Sequence, residues 1–137
     1  MNRASPVEGE PVEQIAEPPQ GAARRLSRAK NLWIATVRPD GTPHLVPVWF
    51  VWHASFFYIC TAPGSVKAKN LEHNDRLVVA LEDGANPLIC EGQGSAVPRP
   101  WPEGVVEAFQ RKYDWSIRSE AEYSRLIRVQ PIHWIAW

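Results

Sequence analysis

Residues 31–74 carry the clearest strand and turn signals in the chain, and they read NLWIATVRPDGTPHLVPVWFVWHASFFYICTAPGSVKAKNLEHN. Three runs of strand length in this stretch are rich in apolar, β-branched and aromatic residues: 32–37, 44–52 and 56–61. Pro39-Asp40-Gly41 predicts a tight turn between the first two runs, because Pro fixes its φ, Asp accepts local hydrogen bonds and Gly takes positive φ. Residues 53–55 form a second short connection. The stretch therefore predicts an antiparallel β-meander.

The run at residues 44–52 carries apolar side chains on both of its faces. An antiparallel strand with one face in water alternates apolar and polar residues, and this run does not. One face is expected to fill a barrel, and the other to be covered by a helix, a second subunit or a flat ligand. Pro47 has no N–H to give to a neighbouring strand, which predicts a sheet edge or a bulge at this position.

A short helix with unusual charge placement is expected after the third run. Pro63-Gly64 ends the strand, and Ser65 is a favourable N-cap residue. Lys67 and Lys69 then fall in or just beyond the first turn, where the helix dipole disfavours cations. An anion bound by the helix amides, Ser65 and the two lysines would make this arrangement favourable. A solvated helix with ordinary surface lysines is the alternative, and charge placement alone does not separate the two.

The rest of the chain adds three runs of strand character and three helical patterns. Strands are expected at residues 76–81, 88–97 and 126–137, and helices at residues 21–30, 103–113 and 119–124. Six strands in all predict a mainly β fold with short helices (α+β), in which the last strand closes a barrel.

The order of these features resembles a known family. A strand, a Pro-Asp-Gly turn, two further strands, the segment TAPGSVKAKNL at residues 61–71 and a fourth strand are similar to the flavin-binding split-barrel superfamily of pyridoxamine 5′-phosphate oxidase. The resemblance implies a six-stranded antiparallel split β-barrel over residues 20–137. It also implies a homodimer with the cofactor at the subunit interface. That cofactor is FMN or, in one branch of the family, the deazaflavin coenzyme F420.

Seven residues are implied at the cofactor: Val46, Pro47, Val48, Thr61, Ser65, Lys67 and Lys69. By position, the first three would lie beside the isoalloxazine ring, and Thr61 would contact the cofactor. Ser65 and Lys67 would hold its phosphate, with Lys69 as a further charge. In the oxidase itself an Arg precedes this Lys and another lies in the second strand. Here those positions are Val66 and Val46, so the resemblance does not extend to the oxidase's substrate.

Composition excludes several classes of function. The chain has 137 residues and a formal net charge of zero, from 15 basic and 15 acidic residues, which gives no reason to expect nucleic-acid or anionic-membrane binding. Cys60 and Cys90 lie apart in apolar strands, and they are expected to be inert buried thiols. The four histidines lack metal-site spacing, so no metal is expected.

Residues 1–19 are rich in Pro and Glu, and a disordered or loosely draped tail is expected there. This segment has no signal-peptide layout. No apolar run reaches the ~18 residues of a membrane span. A cytoplasmic protein is therefore expected, with no membrane contact.

Three functions remain open. The first is an FMN-binding oxidoreductase that passes a hydride to or from a small organic substrate. The second is a deazaflavin-dependent reductase. The third is a non-catalytic cofactor carrier or a haem-binding relative. No catalytic side chain can be named, which suits an enzyme whose cofactor carries the chemistry.

Overall fold

The computed structural model describes residues 14–137, in which one antiparallel sheet is accompanied by three short α-helices. The strands are β1 Leu32–Val37, β2 Pro43–Val48, β3 Val51–His53, β4 Phe56–Thr61, β5 Arg76–Leu81, β6 Leu88–Ala96 and β7 Arg125–Ala136. The helices are α1 Ala22–Arg28, α2 Val66–His73 and α3 Glu103–Tyr113, and a 3-10 turn follows at Ile117–Ser119. The mainly β class is thus confirmed.

The sheet curls into a half-barrel. Its strand order is β2-β1-β5-β6-β7-β4-β3, so β2 and β3 occupy opposite edges although only Trp49 and Phe50 separate them in the chain. Two edges joined by two residues must lie close together in space, which a flat sheet would not allow. The curl therefore follows from the connectivity.

The expected count of six strands is wrong, because the run at residues 44–52 is two strands. Phe50 is fully buried, and side chains of α3 satisfy its backbone in place of a neighbouring strand. The hydroxyl of Tyr113 accepts from the Phe50 N–H at 3.0 Å, and the Lys112 ammonium donates to the Phe50 carbonyl at 2.9 Å. The chain therefore leaves one edge of the sheet here and begins the other.

The expected meander is also wrong, although both of its hairpins are present. β1 pairs with β2 around the Pro39-Asp40-Gly41 turn, and β3 pairs with β4, but the two hairpins do not adjoin each other. β2 is an edge strand, so the edge predicted from Pro47 is confirmed. An edge strand tolerates Pro because half of its N–H positions point away from the neighbouring strand.

The helices follow local signals, with one exception. α1, α2 and α3 lie where their patterns predict them, and Ser65 caps α2 as expected. The helix expected at residues 119–124 is wrong, since the 3-10 turn ends at Ser119 and a loop follows. No described helix has the length and apolarity that a bilayer crossing requires.

The apolar side chains form two cores, one on each face of the sheet. The first fills the half-barrel, with Ile34, Phe50 and Phe57 among its fully buried members. The second lies under α3, where Val105 and Phe109 are fully buried. A helix thus covers the outer face of β3 and β4. Nothing in residues 14–137 covers the outer face of β2.

The predicted tail falls mostly outside the described residues, because these begin at Gln14. Within the described part, the Ala16 N–H donates to the Pro131 carbonyl and the Ala16 carbonyl accepts from the Trp134 indole N–H, both at 3.0 Å. Residues just before α1 therefore contact β7.

Candidate functional site

A cleft of about 490 Å³ lies where β2 ends, β4 ends and α2 begins, and the loop after α3 forms its far wall. This volume is within the range of small-molecule sites in proteins. Its lining residues are Pro47, Val48, Trp49, Cys60, Thr61, Lys67, Trp115 and Tyr123. We call it the cofactor cleft below.

One end of the cofactor cleft is polar. Thr61 is almost fully buried at the end of β4, and its hydroxyl lies 3.1 Å from the Ser65 hydroxyl. Ser65 has the extended backbone of an N-cap, and its hydroxyl oxygen accepts from the Ala68 N–H at 3.2 Å. The amides of the first helical turn lack intrahelical acceptors and point out of the helix start. This end therefore offers hydroxyls and amide donors to an anion.

Lys67 adds a positive charge to the polar end. Its side chain is half-buried, and burial lowers the pKa of its ammonium. Among residues 14–137, no ion pair joins this ammonium to a carboxylate. A half-buried cation without a partner gains from any anion that binds beside it. The polar end thus fits a phosphate group both in its donors and in its charge.

The opposite wall of the cofactor cleft is aromatic. Trp49 stacks on Tyr113 with ring centroids 4.4 Å apart, and Trp115 meets Trp49 edge-on at 5.7 Å. Tyr123 meets Trp115 edge-on at 6.0 Å. Trp49 and Tyr123 still expose 47% and 43% of their surfaces. These partly exposed rings present apolar ring faces and edges on which a planar ring system could pack.

Hydrogen bonds fix the loop that carries this aromatic wall. The Trp115 indole N–H donates to a Glu120 carboxylate oxygen at 2.8 Å, and this bond lowers the pKa of Glu120. The Cys60 thiol donates to the Tyr123 carbonyl at 3.1 Å. Burial raises the pKa of Cys60 to about 12, so the thiol stays protonated at neutral pH and available as a donor.

The structure gathers most of the residues that the resemblance implies. Pro47, Val48, Thr61 and Lys67 line the cofactor cleft, and Ser65 joins them through its contact with Thr61. Two others lie apart from the lining: Val46, which packs against the half-barrel core, and Lys69, which is exposed on α2.

Sequence reasoning missed the aromatic wall. The sequence predicts only a strand at Trp49, and Trp115 and Tyr123 follow more than forty residues after the segment at residues 61–71. The one available signal was composition, since seven Trp residues in 137 are many. That signal indicates flat surfaces somewhere but does not say which of the seven share a site.

His44 lies near the polar end of the cofactor cleft. Its Nδ1 is buried and has no hydrogen-bond partner among the described residues. Burial lowers the pKa of His44, and the charges of Arg38 and Lys67 lower it further. The imidazole is therefore neutral at pH 7, and its free nitrogen is a potential acceptor.

A second opening is larger but chemically different. A groove of about 550 Å³ runs between the β1–β2 turn and the end of α2, and Arg38, Glu72, His73 and Asp75 are among its lining residues. Its lining contains no aromatic ring apart from His73, and charges of both signs surround it. The cofactor cleft is the better candidate for a planar ligand with a phosphate.

Three solved structures illustrate what the fold is similar to. An F420 reductase is 25% identical, with a TM-score of 0.67, over 85% of this chain and 98% of that one. HutZ, the haem storage protein from Vibrio cholerae, is 19% identical, with a TM-score of 0.73, over 88% of this chain and 95% of that one. An FAD-binding protein from Mesorhizobium loti is 17% identical, with a TM-score of 0.59, over 81% of this chain and 88% of that one.

Sequence comparison gives the family. None of the curated proteins matches the chain significantly. A family model described as pyridoxamine 5′-phosphate oxidase matches residues 19–137, which include both hairpins, α2 and the whole cofactor cleft. The chain therefore belongs to the pyridoxamine 5′-phosphate oxidase family.

Proposed function

We propose that this protein is an oxidoreductase that holds FMN in the cofactor cleft and passes a hydride to or from a small organic substrate. The observation that carries the proposal is the pairing of two unlike ends in one cleft. Thr61, Ser65 and Lys67 form a polar end that would bind the phosphate, and Trp49 with Trp115 forms an apolar aromatic wall. A tricyclic ring joined to a phosphate by a short chain matches both.

The chain's own residues would bind and orient the cofactor. When bound, the ring would supply the hydride chemistry, which no side chain of this cleft provides. Lys67 and the first amides of α2 would hold the phosphate, and the apolar wall would exclude water from the ring. With the Cys60 thiol protonated, no thiolate is present to act as a nucleophile.

The uncovered outer face of β2 supports a homodimer as part of the proposal. Leu45 and Trp33 lie on this face and expose 59% and 40% of their surfaces. Pro47 lies on the same face, opposite Trp33 in the β1–β2 pair, and lines the cofactor cleft. A second subunit seated here would cover the apolar face and complete the cleft.

A deazaflavin is the second candidate cofactor. The F420 reductase shares 25% identity with this chain, and the match spans 98% of that protein. Its coenzyme also joins a three-ring system to a phosphate, so the features of the cofactor cleft suit both molecules. The proposed reaction then becomes a reduction by the deazaflavin.

Haem binding, or carriage of a cofactor without catalysis, has less support. HutZ is a haem storage protein with a similar fold, and haem iron takes an axial His, Cys, Met or Tyr. Of these ligand types the lining of the cofactor cleft offers only two. They are Cys60, whose thiol stays protonated because of burial, and Tyr123, whose ring packs edge-on against Trp115. A carrier would bind a flavin yet show no turnover.

The bound molecule itself tests the proposal. The protein should be purified from its native host, and the released ligand identified by absorbance and mass spectrometry. FMN is expected, and F420 would select the second candidate. Titration of the ligand-free protein should then give clearly tighter binding of FMN than of riboflavin, which lacks the phosphate. Haem in the purified protein, or equal affinity for FMN and riboflavin, would contradict the proposed site.

A further inference from the structure

A smaller cavity of about 260 Å³ lies on the other side of the Trp49–Phe50 corner, between α1, β3 and α3. Its lining residues are Ser27, Val51, Trp52, Ala108, Arg111 and Lys112, and it shares none of them with the cofactor cleft. The walls combine an apolar surface with two cationic side chains. No carboxylate lines it. We call it the anion cavity.

Lys112 places a half-buried ammonium at the anion cavity. Its Nζ donates to the Phe50 carbonyl at 2.9 Å and lies 3.9 Å from the centroid of the Phe50 ring. Two of its three protons remain available after this bond. The fold therefore holds the cation in a defined position instead of leaving it free in water.

A second ammonium lies close to Lys112. Lys30, just after α1, donates through Nζ to the Lys112 carbonyl at 3.0 Å, and both ammonium groups lie 5.4 Å from the centroid of the Tyr113 ring. Burial, and then the charge of Lys30, lower the pKa of Lys112 to about 8.

No carboxylate of the described residues pairs with these cations. Among residues 14–137, Lys30, Arg111 and Lys112 take part in no ion pair, and Lys30 is the charge that acts on Lys112. Lys112 is partly buried, whereas Lys30 and Arg111 are exposed. A partly buried charge without an opposite charge nearby is costly, and an anion beside Lys112 would lower that cost.

We propose that the anion cavity binds a small organic anion, a carboxylate or phosphate carried on a compact apolar body. The acidic group would lie between Lys112 and Arg111, with Lys30 adding long-range attraction. The apolar body would pack on Val51, Trp52 and Ala108. The volume lies just below the range of drug-sized sites, which limits the ligand to roughly the size of one substituted ring.

Benzoate is a suitable probe, because its carboxylate stays ionised at every pH used. Its dissociation constant for the full chain should be measured by ligand-observed nuclear magnetic resonance between pH 6.5 and 9.5, with FMN at saturation to fill the cofactor cleft. Binding should be tightest near pH 6.5, where Lys112 is almost fully charged, and about twofold weaker near pH 8. It should weaken by up to about tenfold at pH 9, because Lys112 loses its proton and its charge.

Three variants locate the probe. Arg111→Gln, at an exposed position, should weaken benzoate binding severalfold, whereas the matched control Arg99→Gln, remote from this lining, should leave it unchanged. Lys112→Arg should retain binding but lose the pH dependence, because Arg does not titrate in this range. Absence of binding, displacement of benzoate by FMN, a flat pH profile in the unmodified protein, or equal effects of the two Gln substitutions would each overturn the proposal.

Discussion

Lys67 carries a charge that the fold half-buries and that no described carboxylate neutralises. Hydrogen bonds to a charged group contribute on the order of 1.5–3 kcal/mol. Lys67→Ala should therefore weaken FMN binding by about ten- to a hundredfold while leaving riboflavin affinity nearly unchanged. Equilibrium titration followed by flavin fluorescence measures both constants.

Lys69→Ala is the matched control for this prediction, since Lys69 lies on the same helix but is exposed and outside the cleft lining. It should reduce the preference for FMN much less than Lys67→Ala does. A Lys67→Ala protein that keeps the full preference for FMN would mean that the phosphate binds elsewhere.

Trp115 should act on the ring and not on the phosphate. An aromatic contact contributes about 0.5–1.5 kcal/mol beyond burial, so Trp115→Ala should weaken FMN and riboflavin by a similar factor of about two to ten. Trp137→Ala, at the most exposed tryptophan, is the control. Thermal melting of each variant shows whether the fold survives. If Trp115→Ala weakened the binding of FMN but not of riboflavin, the isoalloxazine ring would not lie against Trp115.

Roles could be predicted from the sequence for residues whose contacts lie close by in the chain. The capping role of Ser65 depends on an amide three residues away, and a sequence motif records that spacing. Trp115 reaches Trp49 from sixty-six positions further along the chain, and no local pattern encodes that contact. The polar end of the cleft was therefore predictable, and the aromatic wall was not.

Among the strands, too, the bounds that depend on local signals were predictable, and those that depend on distant partners were not. The bounds of β1, β4 and β5 follow from propensity and turn residues. The break at Trp49–Phe50 does not, because its partners, Lys112 and Tyr113, lie on a helix more than sixty residues later. The apolar character of residues 44–52 can be read from the sequence, but their division between two edges of the sheet cannot.

Tyr113 should stabilise this corner measurably. Its hydroxyl donates to the Lys30 carbonyl at 2.7 Å and accepts from the N–H of fully buried Phe50. Tyr113→Phe would leave that N–H unsatisfied, so the free energy of unfolding should fall by about 1–3 kcal/mol. Urea denaturation measures the change. Tyr123→Phe should cost almost nothing, because its exposed hydroxyl has no described partner, and equal losses in both variants would contradict the role of Tyr113.

At the scale of the whole molecule, the uncovered face of β2 predicts self-association. The protein should be a dimer at micromolar concentration by light scattering. Leu45→Glu should shift it towards monomer, since a charge in an apolar interface loses its hydration, and FMN affinity should fall with it. The monomer should remain folded, because Leu45 is exposed.

Ala23→Glu is the control for the dimer, because Ala23 is exposed on α1 and outside the β2 face. It should leave both the mass and the FMN affinity unchanged. A native protein that is already monomeric, or a Leu45→Glu protein that stays dimeric, would show that the second subunit does not cover this face.

The strand order also governs when the chain can fold during synthesis. The hairpins of β1–β2 and β3–β4 are complete by Thr61, yet β4 takes its other partner from β7, with Phe57 opposite Val129. Until β7 emerges from the ribosome, the apolar side chains of the first half have no finished sheet to enter. Contacts of such long separation form slowly and expose aggregation-prone surface in the meantime. The nascent chain should therefore keep this apolar surface exposed until β7 is translated.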